Sequence, residues 1–159
     1  MKIDTTLLKA FEAEIGRASN ILIGTHLNPD GDALGSALGL ALYLESIGKN
    51  VEVLCHHPAP KNLRFLPTVD RIRQVPVTSD HDLGIIVDLE SFDRLGTTAP
   101  YFENIKRLMV IDHHVPHEAP GDVRIIEIGA AATALILTRI FEALDADISP
   151  DMATCLYTG

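Results

Sequence analysis

The stretch THLNPDGDALGSALGL, residues 25–40, decides how this chain is read. It opens with His26, Asp30 and Asp32 and then turns apolar. The residues before it, NILIGTH (20–26), read as a short buried strand, and those after it as a helix from about Asp32 to Ile47. Gly48 follows at the position just past the helix end, where glycine is favoured. Three titratable groups therefore stand where a buried strand hands over to a buried helix. Such groups are seldom buried without a partner, so the crowding needs a chemical reason.

Working outward, Asp4 caps a first helix in which Leu7, Leu8, Phe11 and Ile15 recur at helical spacing up to Gly16. VEVLC (51–55), LGIIVDL (83–89), RLMVID (107–112) and VRIIEI (123–128) read as further short apolar strands. HHPAPKNLRFLP reads as a loop with one helical turn. GAAATALILTRIFEAL is helical, and Ser149-Pro150 begins another helix as cap and first residue. Apolar strands alternating with helices predict a three-layer α/β sandwich, a mostly parallel sheet flanked by helices. In such sheets ligands bind beyond the carboxyl ends of the strands. The first strand exits into His26, Asp30 and Asp32, the third into Asp88, and the fourth into Asp112, His113 and His114. Three strands thus deliver carboxylates and imidazoles to one edge.

Ionised carboxylates a few ångströms apart repel by several kcal/mol at intermediate dielectric. They must take up protons, meet cations or hold metal. The neighbouring sequence offers histidines rather than a Lys/Arg set, so metal is the economical answer. A mixed His/carboxylate set suits Mn²⁺, Zn²⁺ or Fe²⁺ better than Ca²⁺, and it holds too much oxygen for a structural zinc site. Asp30 and Asp32 would not share a face inside a regular helix. At a turn relaxed by Gly31 they can address two adjacent ions, and the helix N-terminus favours their charge. Two ions sharing one carboxylate would activate a water and clamp a phosphoryl oxygen.

Composition narrows the partners. The 159 residues make about one domain, with 47% hydrophobic residues and a formal net charge of −9. That balance argues against gripping long duplex DNA, which calls for a basic face. No signal-peptide pattern and no run of the roughly 18 apolar residues of a membrane span occur. Two cysteines are too few for a disulfide framework, so a cytoplasmic, reduced protein is expected.

HLNPDGDALGSALGL, the aspartate in IIVDLESFDRLG, and VIDHHVPHE together resemble the first three motifs of the DHH phosphoesterases, RecJ-like enzymes. The likeness runs from about residue 20 to the end. NPDGDA with Leu-Gly-Ser, and Arg94-Leu95-Gly96, are most similar to the oligoribonuclease/phosphoadenosine-phosphate phosphatase branch. By position the resemblance implies that His26 and Asp30 bind a first metal and Asp32 a second. Asp88 would bridge both and His113 would join the second. His114 would face the scissile phosphate as donor or acid, Asp112 would orient its neighbours, and Arg94 would make a substrate or structural contact. It implies two ions per site, Mn²⁺ first, with Mg²⁺, Co²⁺ or Zn²⁺ as alternatives. The implied reaction is hydrolysis of short oligonucleotides, and of phosphoadenosine phosphate, by metal-bound hydroxide. Pyrophosphate, polyphosphate and cyclic dinucleotides remain rival substrates, and an inactive metal-binding or interaction module is a rival of another class.

The family's fourth motif begins at Leu156-Tyr157-Thr158-Gly159 and stops before its aspartate. The whole of 1–159 is therefore expected to be the N-terminal DHH domain, cut at its C-terminal end, without the substrate-binding domain. A homodimer stays open. Relatives often carry asparagine where this chain has His117.

Other features read as structure. Gly31, Gly35 and Gly39, four apart, let one helix approach a neighbour closely. His56 and His57 read as a solvated surface, Cys55 and Cys155 as core thiols, and Lys61, Arg64, Arg71 and Arg73 as a solvated basic face.

Overall fold

The computed structural model describes residues 3–89, 91–115 and 120–159. His117 therefore lies outside the described residues. The elements are α1 (Thr5–Arg17), β1 (Asn20–Gly24), α2 (Gly31–Ser46), β2 (Asn50–Leu54), β3 (Leu83–Val87), α3 (Ala99–Glu103), β4 (Leu108–Asp112), β5 (Val123–Ile126), α4 (Thr133–Ala143) and α5 (Pro150–Thr158). All strand pairs are parallel, in the order β2-β1-β3-β4-β5.

Alternation along the strands supplies both faces of the sheet. Ile21, Ile23, Ile85, Val87, Met109 and Ile111 belong to one buried cluster with Phe11 and Ile15 of α1, Leu40 and Leu44 of α2, and Ile140 and Phe141 of α4. Leu22, Ile86 and Val110, their intervening neighbours, meet Leu95 and Phe102 in a second cluster. These are the three layers that the sequence predicts. The caps fall where expected: Asp4 accepts from Thr6 N at 2.7 Å, and Ser149 Oγ accepts from Met152 N at 3.2 Å.

A third cluster joins Leu34 and Leu38 of α2 to Cys155 of α5 and to Leu63 and Leu66 of the middle loop. The loop's expected helical turn is the 3₁₀ turn Lys61–Leu63, and a second turn follows at Val69–Arg71. Its basic residues are not all solvated, since Arg71 donates to Glu45 and to the Val51 carbonyl. The glycine stripe faces α5. A β-carbon at Gly35 would lie 2.4 Å from the Cys155 carbonyl oxygen, and one at Gly31 2.8 Å from that of Thr158.

One segment forms turns for which the sequence reading holds no expectation, and another begins later than expected. Phe92–Thr98 forms 3₁₀ turns leading into α3; they are too short for helical periodicity to register and are broken by Gly96 at φ 58°. The run from Gly129 is helical only from Thr133, for a reason that lies in the site. Among the described residues, no helix is long and apolar enough to cross a membrane.

Candidate metal centre

β1 and β3 are neighbours in the sheet. The chain leaves β1 toward β2 on one side, and β3 toward β4 on the other. A crevice opens beyond the carboxyl ends at such a reversal. The turn after β1 is tied to β3 by Thr25 Oγ1, which donates to the Val87 carbonyl at 3.0 Å.

Asp88 is the centre of the cluster. It follows β3 directly and is 2% exposed. Its backbone is left-handed, φ 56°, with its N–H on the Ile111 carbonyl at 3.0 Å. Aspartate tolerates that conformation better than most residues, and an outlier held in place by buried neighbours is a mark of function. His26 Nε2 lies 3.4 Å from Asp88 Oδ2, and His113 Nε2 lies 3.5 Å from Asp88 Oδ1. Each ring has its other nitrogen at a backbone carbonyl, His26 Nδ1 2.8 Å from Leu27 O and His113 Nδ1 3.2 Å from Ala130 O. A carbonyl accepts only, so Nδ1 carries the proton in both rings. Nε2 is then the nitrogen turned toward the acids, as metal-binding histidines require.

Around this carboxylate two ligand sets form, each with its atoms within 4.8 Å of one another: His26, Asp30 and Asp88, and Asp88, His113 and His114. Asp30 caps α2, accepting from Ala33 N at 3.0 Å, and stands 3.8 Å from His26 Nε2. Asp32 Oδ2 lies 3.5 Å from His113 Nε2, on the second side. Asp112, buried, accepts from His113 N and from His114 Nδ1, both at 2.8 Å. His114 itself is partly open to solvent and packs against the His113 ring at 4.2 Å. Arg94 brings its guanidinium 3.5 Å from His26 Nδ1 and accepts from Leu27 N through its main-chain carbonyl. His26, Asp30, Asp32, Asp88, Arg94, Asp112, His113 and His114 are thus brought together at this edge.

Electrostatics follow the geometry. Burial lifts Asp32 above the usual carboxylate range, and the nearby Asp88 charge adds to the effect against the N–H donors of Ala134 and Thr133. Burial pushes Asp88 the same way, but the His26 hydrogen bond and charge, with Thr133 and His114, outweigh it and hold Asp88 low. Burial opposes charge on His26, yet Asp88 and the Leu27 carbonyl raise it above an ordinary imidazole.

Sequence reasoning missed several members. Asp32 accepts from Thr133 N at 2.8 Å, Ala134 N at 2.9 Å and Ser36 Oγ at 3.1 Å, so it caps α4 across the sheet edge. The α4 N-terminus has Ala132 at its own cap position, with no side-chain bond. This is why the helix begins at Thr133 rather than Gly129. An alanine run leading into a helix without a polar cap was the available signal, because those N–H groups need an acceptor from elsewhere. His56 and His57 correct the expectation of a solvated surface. His57 Nδ1 accepts from Asn28 N, and His56 Nδ1 from Thr97 N, each at 3.0 Å. They pin the two loops flanking His26 and Arg94. Cys55 is a core thiol as expected, and its Sγ sits 3.4 Å from the His26 carbonyl.

Fold and site define a class, a parallel α/β domain with acids and imidazoles gathered at the sheet's carboxyl edge. Residues 20–159 match the profile of the DHH family, N-terminal domain, and the chain belongs to that family. It is 31% identical over 159 residues to the bifunctional oligoribonuclease and PAP phosphatase NrnA of Thermus thermophilus, covering 100% of this chain and 46% of that protein. It is 24% identical over 148 residues to a probable manganese-dependent inorganic pyrophosphatase of Streptococcus thermophilus, covering 89% of this chain and 47% of the relative. The crystal structure of an exopolyphosphatase-related protein from Bacteroides fragilis superposes with a TM-score of 0.91 at 27% identity, over 99% of this chain and 49% of that one. The chain spans about half the length of these relatives.

Proposed function

We propose that this chain is the metal-binding half of a phosphoesterase that hydrolyses short oligonucleotides, with PAP as a second substrate and a pair of divalent ions, Mn²⁺ foremost, at the Asp88 cluster. The observation that carries the reading is Asp88, a buried carboxylate with one histidine Nε2 facing each of its oxygens. In this reading His26, Asp30 and Asp88 would hold one ion, and Asp32, His113 and Asp88 would hold the other. Nitrogen donors in both sets favour Mn²⁺, Co²⁺ or Zn²⁺ over Mg²⁺. When bound, such a pair supplies a water of lowered pKa and a clamp for phosphoryl charge.

The chain's own residues supply the rest. His114, with Asp112 fixing its Nδ1, turns its remaining nitrogen away from that acid and can give a proton to a leaving oxygen. Arg94 sets a positive charge beside the first ligand set, where a substrate phosphate would approach. The net charge of −9 fits short substrates better than long duplexes, which need an extended basic surface.

The rival with specific support is pyrophosphate hydrolysis, given the manganese-dependent streptococcal relative. The experiment compares Mn²⁺-dependent hydrolysis of a short RNA oligomer, PAP and pyrophosphate by the protein and by its Asp88→Ala variant. Release of mononucleotide that disappears with Asp88→Ala supports the reading. Turnover of pyrophosphate alone replaces it with the rival, and no turnover of any substrate by folded, Mn²⁺-loaded protein carrying both halves of the relatives' length overturns both.

A further inference from the structure

Thr133 is fully buried and donates to both acids that the metal reading needs. Its hydroxyl meets Asp88 Oδ1 at 3.0 Å, and its backbone N–H meets Asp32 Oδ2 at 2.8 Å. These acids come from different strand ends, and Thr133 is the first residue of α4, so one rigid helix terminus references both. The side-chain torsion of an aspartate carboxylate is broad and nearly two-fold. A donor on one oxygen therefore decides which oxygen faces which neighbour. With Oδ1 on Thr133, that oxygen also faces His113, and Oδ2 faces His26.

We infer that Thr133 is the positioning residue of the shared carboxylate: its hydroxyl fixes the rotation of Asp88 so that each oxygen addresses one of two adjacent ions. The inference rests on the metal-pair reading proposed above. A hydroxyl suits the task because it adds no positive charge to compete with an ion, and Oδ1 keeps a second lone pair for one. Partners of this kind tune metal sites without touching the metal, and their loss typically costs about 10- to 100-fold in affinity.

The test compares Thr133→Val, which keeps shape and loses the hydroxyl, with Thr133→Ser, which keeps the hydroxyl. Mn²⁺ stoichiometry and affinity are read by calorimetry, and the exchange-coupled signal of an ion pair by electron paramagnetic resonance. The melting temperature of metal-free protein separates loss of fold from loss of positioning. Thr133→Val is expected to bind Mn²⁺ about 10- to 100-fold more weakly and to lose the coupled signal; Thr133→Ser retains both. Thr133→Ala runs the same test if valine prevents folding. Two ions with undiminished affinity and coupling in either variant lacking the hydroxyl overturn the inference while leaving the pair intact. Fewer than two ions in the unaltered protein overturn the metal-pair reading, and the inference with it.

Discussion

Replacing Gly35 by alanine sets two known effects against each other. In a helix interior alanine is favoured over glycine by about 1 kcal/mol, so an unobstructed site should gain stability. At Gly35 the new β-carbon meets the Cys155 carbonyl oxygen at 2.4 Å and Gly159 N at 3.1 Å, whereas ordinary contact begins at 3.4 Å. The obstacles are backbone atoms, so α5 must retreat by roughly 1 Å, drawing Cys155 from its place against Leu34 and Leu38. Overpacking of this kind costs about 1–3 kcal/mol, and a helix backbone that cannot turn aside puts it at the upper end. The net change is a loss of about 2 kcal/mol, or roughly 4–8 °C in melting temperature for a domain of this size. Gly16 is the internal control: nothing lies within 4 Å of its β-carbon position, and Gly16→Ala should hold or raise the melting temperature. Thermal unfolding followed by circular dichroism reads both variants. A Gly35→Ala protein that melts at or above the unaltered temperature would show that α2 and α5 are not in backbone contact.

The Arg107 hydrogen bonds hold the buried Glu14 carboxyl below its usual range despite burial. The unfolded chain then binds the proton more readily, so this contribution to stability is present at neutral pH and is lost as pH falls below about 4.5. Urea unfolding from pH 7 to pH 3 should show a shallower acid loss for Glu14→Gln, and an unchanged slope would count against the pairing. Burial pushes the Cys55 and Cys155 thiols up to about 11, so a thiol reagent at pH 8 should modify neither in native protein and both in denaturant. Rapid labelling of the native chain would contradict the packing. His57→Ala removes the acceptor for the Asn28 amide; hydrogen exchange there should accelerate, reflecting a bond worth about 0.5–1.5 kcal/mol, and unchanged exchange would mean the loop is held without it.

The strands and the site residues they carry were legible because a parallel sheet writes itself as short apolar runs, with chemistry at their carboxyl ends. His26, Asp88 and His113 meet because β1, β3 and β4 are adjacent, an order that alternation with helices implies without fixing. What periodicity could not show is long-range or conformational. The left-handed turn at Asp88, the capping of α4 by Asp32, and the bond from the His113 ring to the Ala130 carbonyl depend on contacts between separate segments. His56 and His57 were misread for the same reason: their partners, Thr97 and Asn28, lie in other loops. The turns from Phe92 were hidden because Gly96 breaks them before any repeat accumulates.

The bonds from Thr133 and Ala134 to Asp32 close loops of 101 and 102 residues. During synthesis at about 5–20 residues per second, the first acids emerge roughly 5–20 seconds before the helix end that receives them. For that interval Asp32 lacks the backbone donors of α4 that hold it in the folded domain. In the metal-pair reading proposed above, the ligand set that includes Asp32 would be completed only when the domain is.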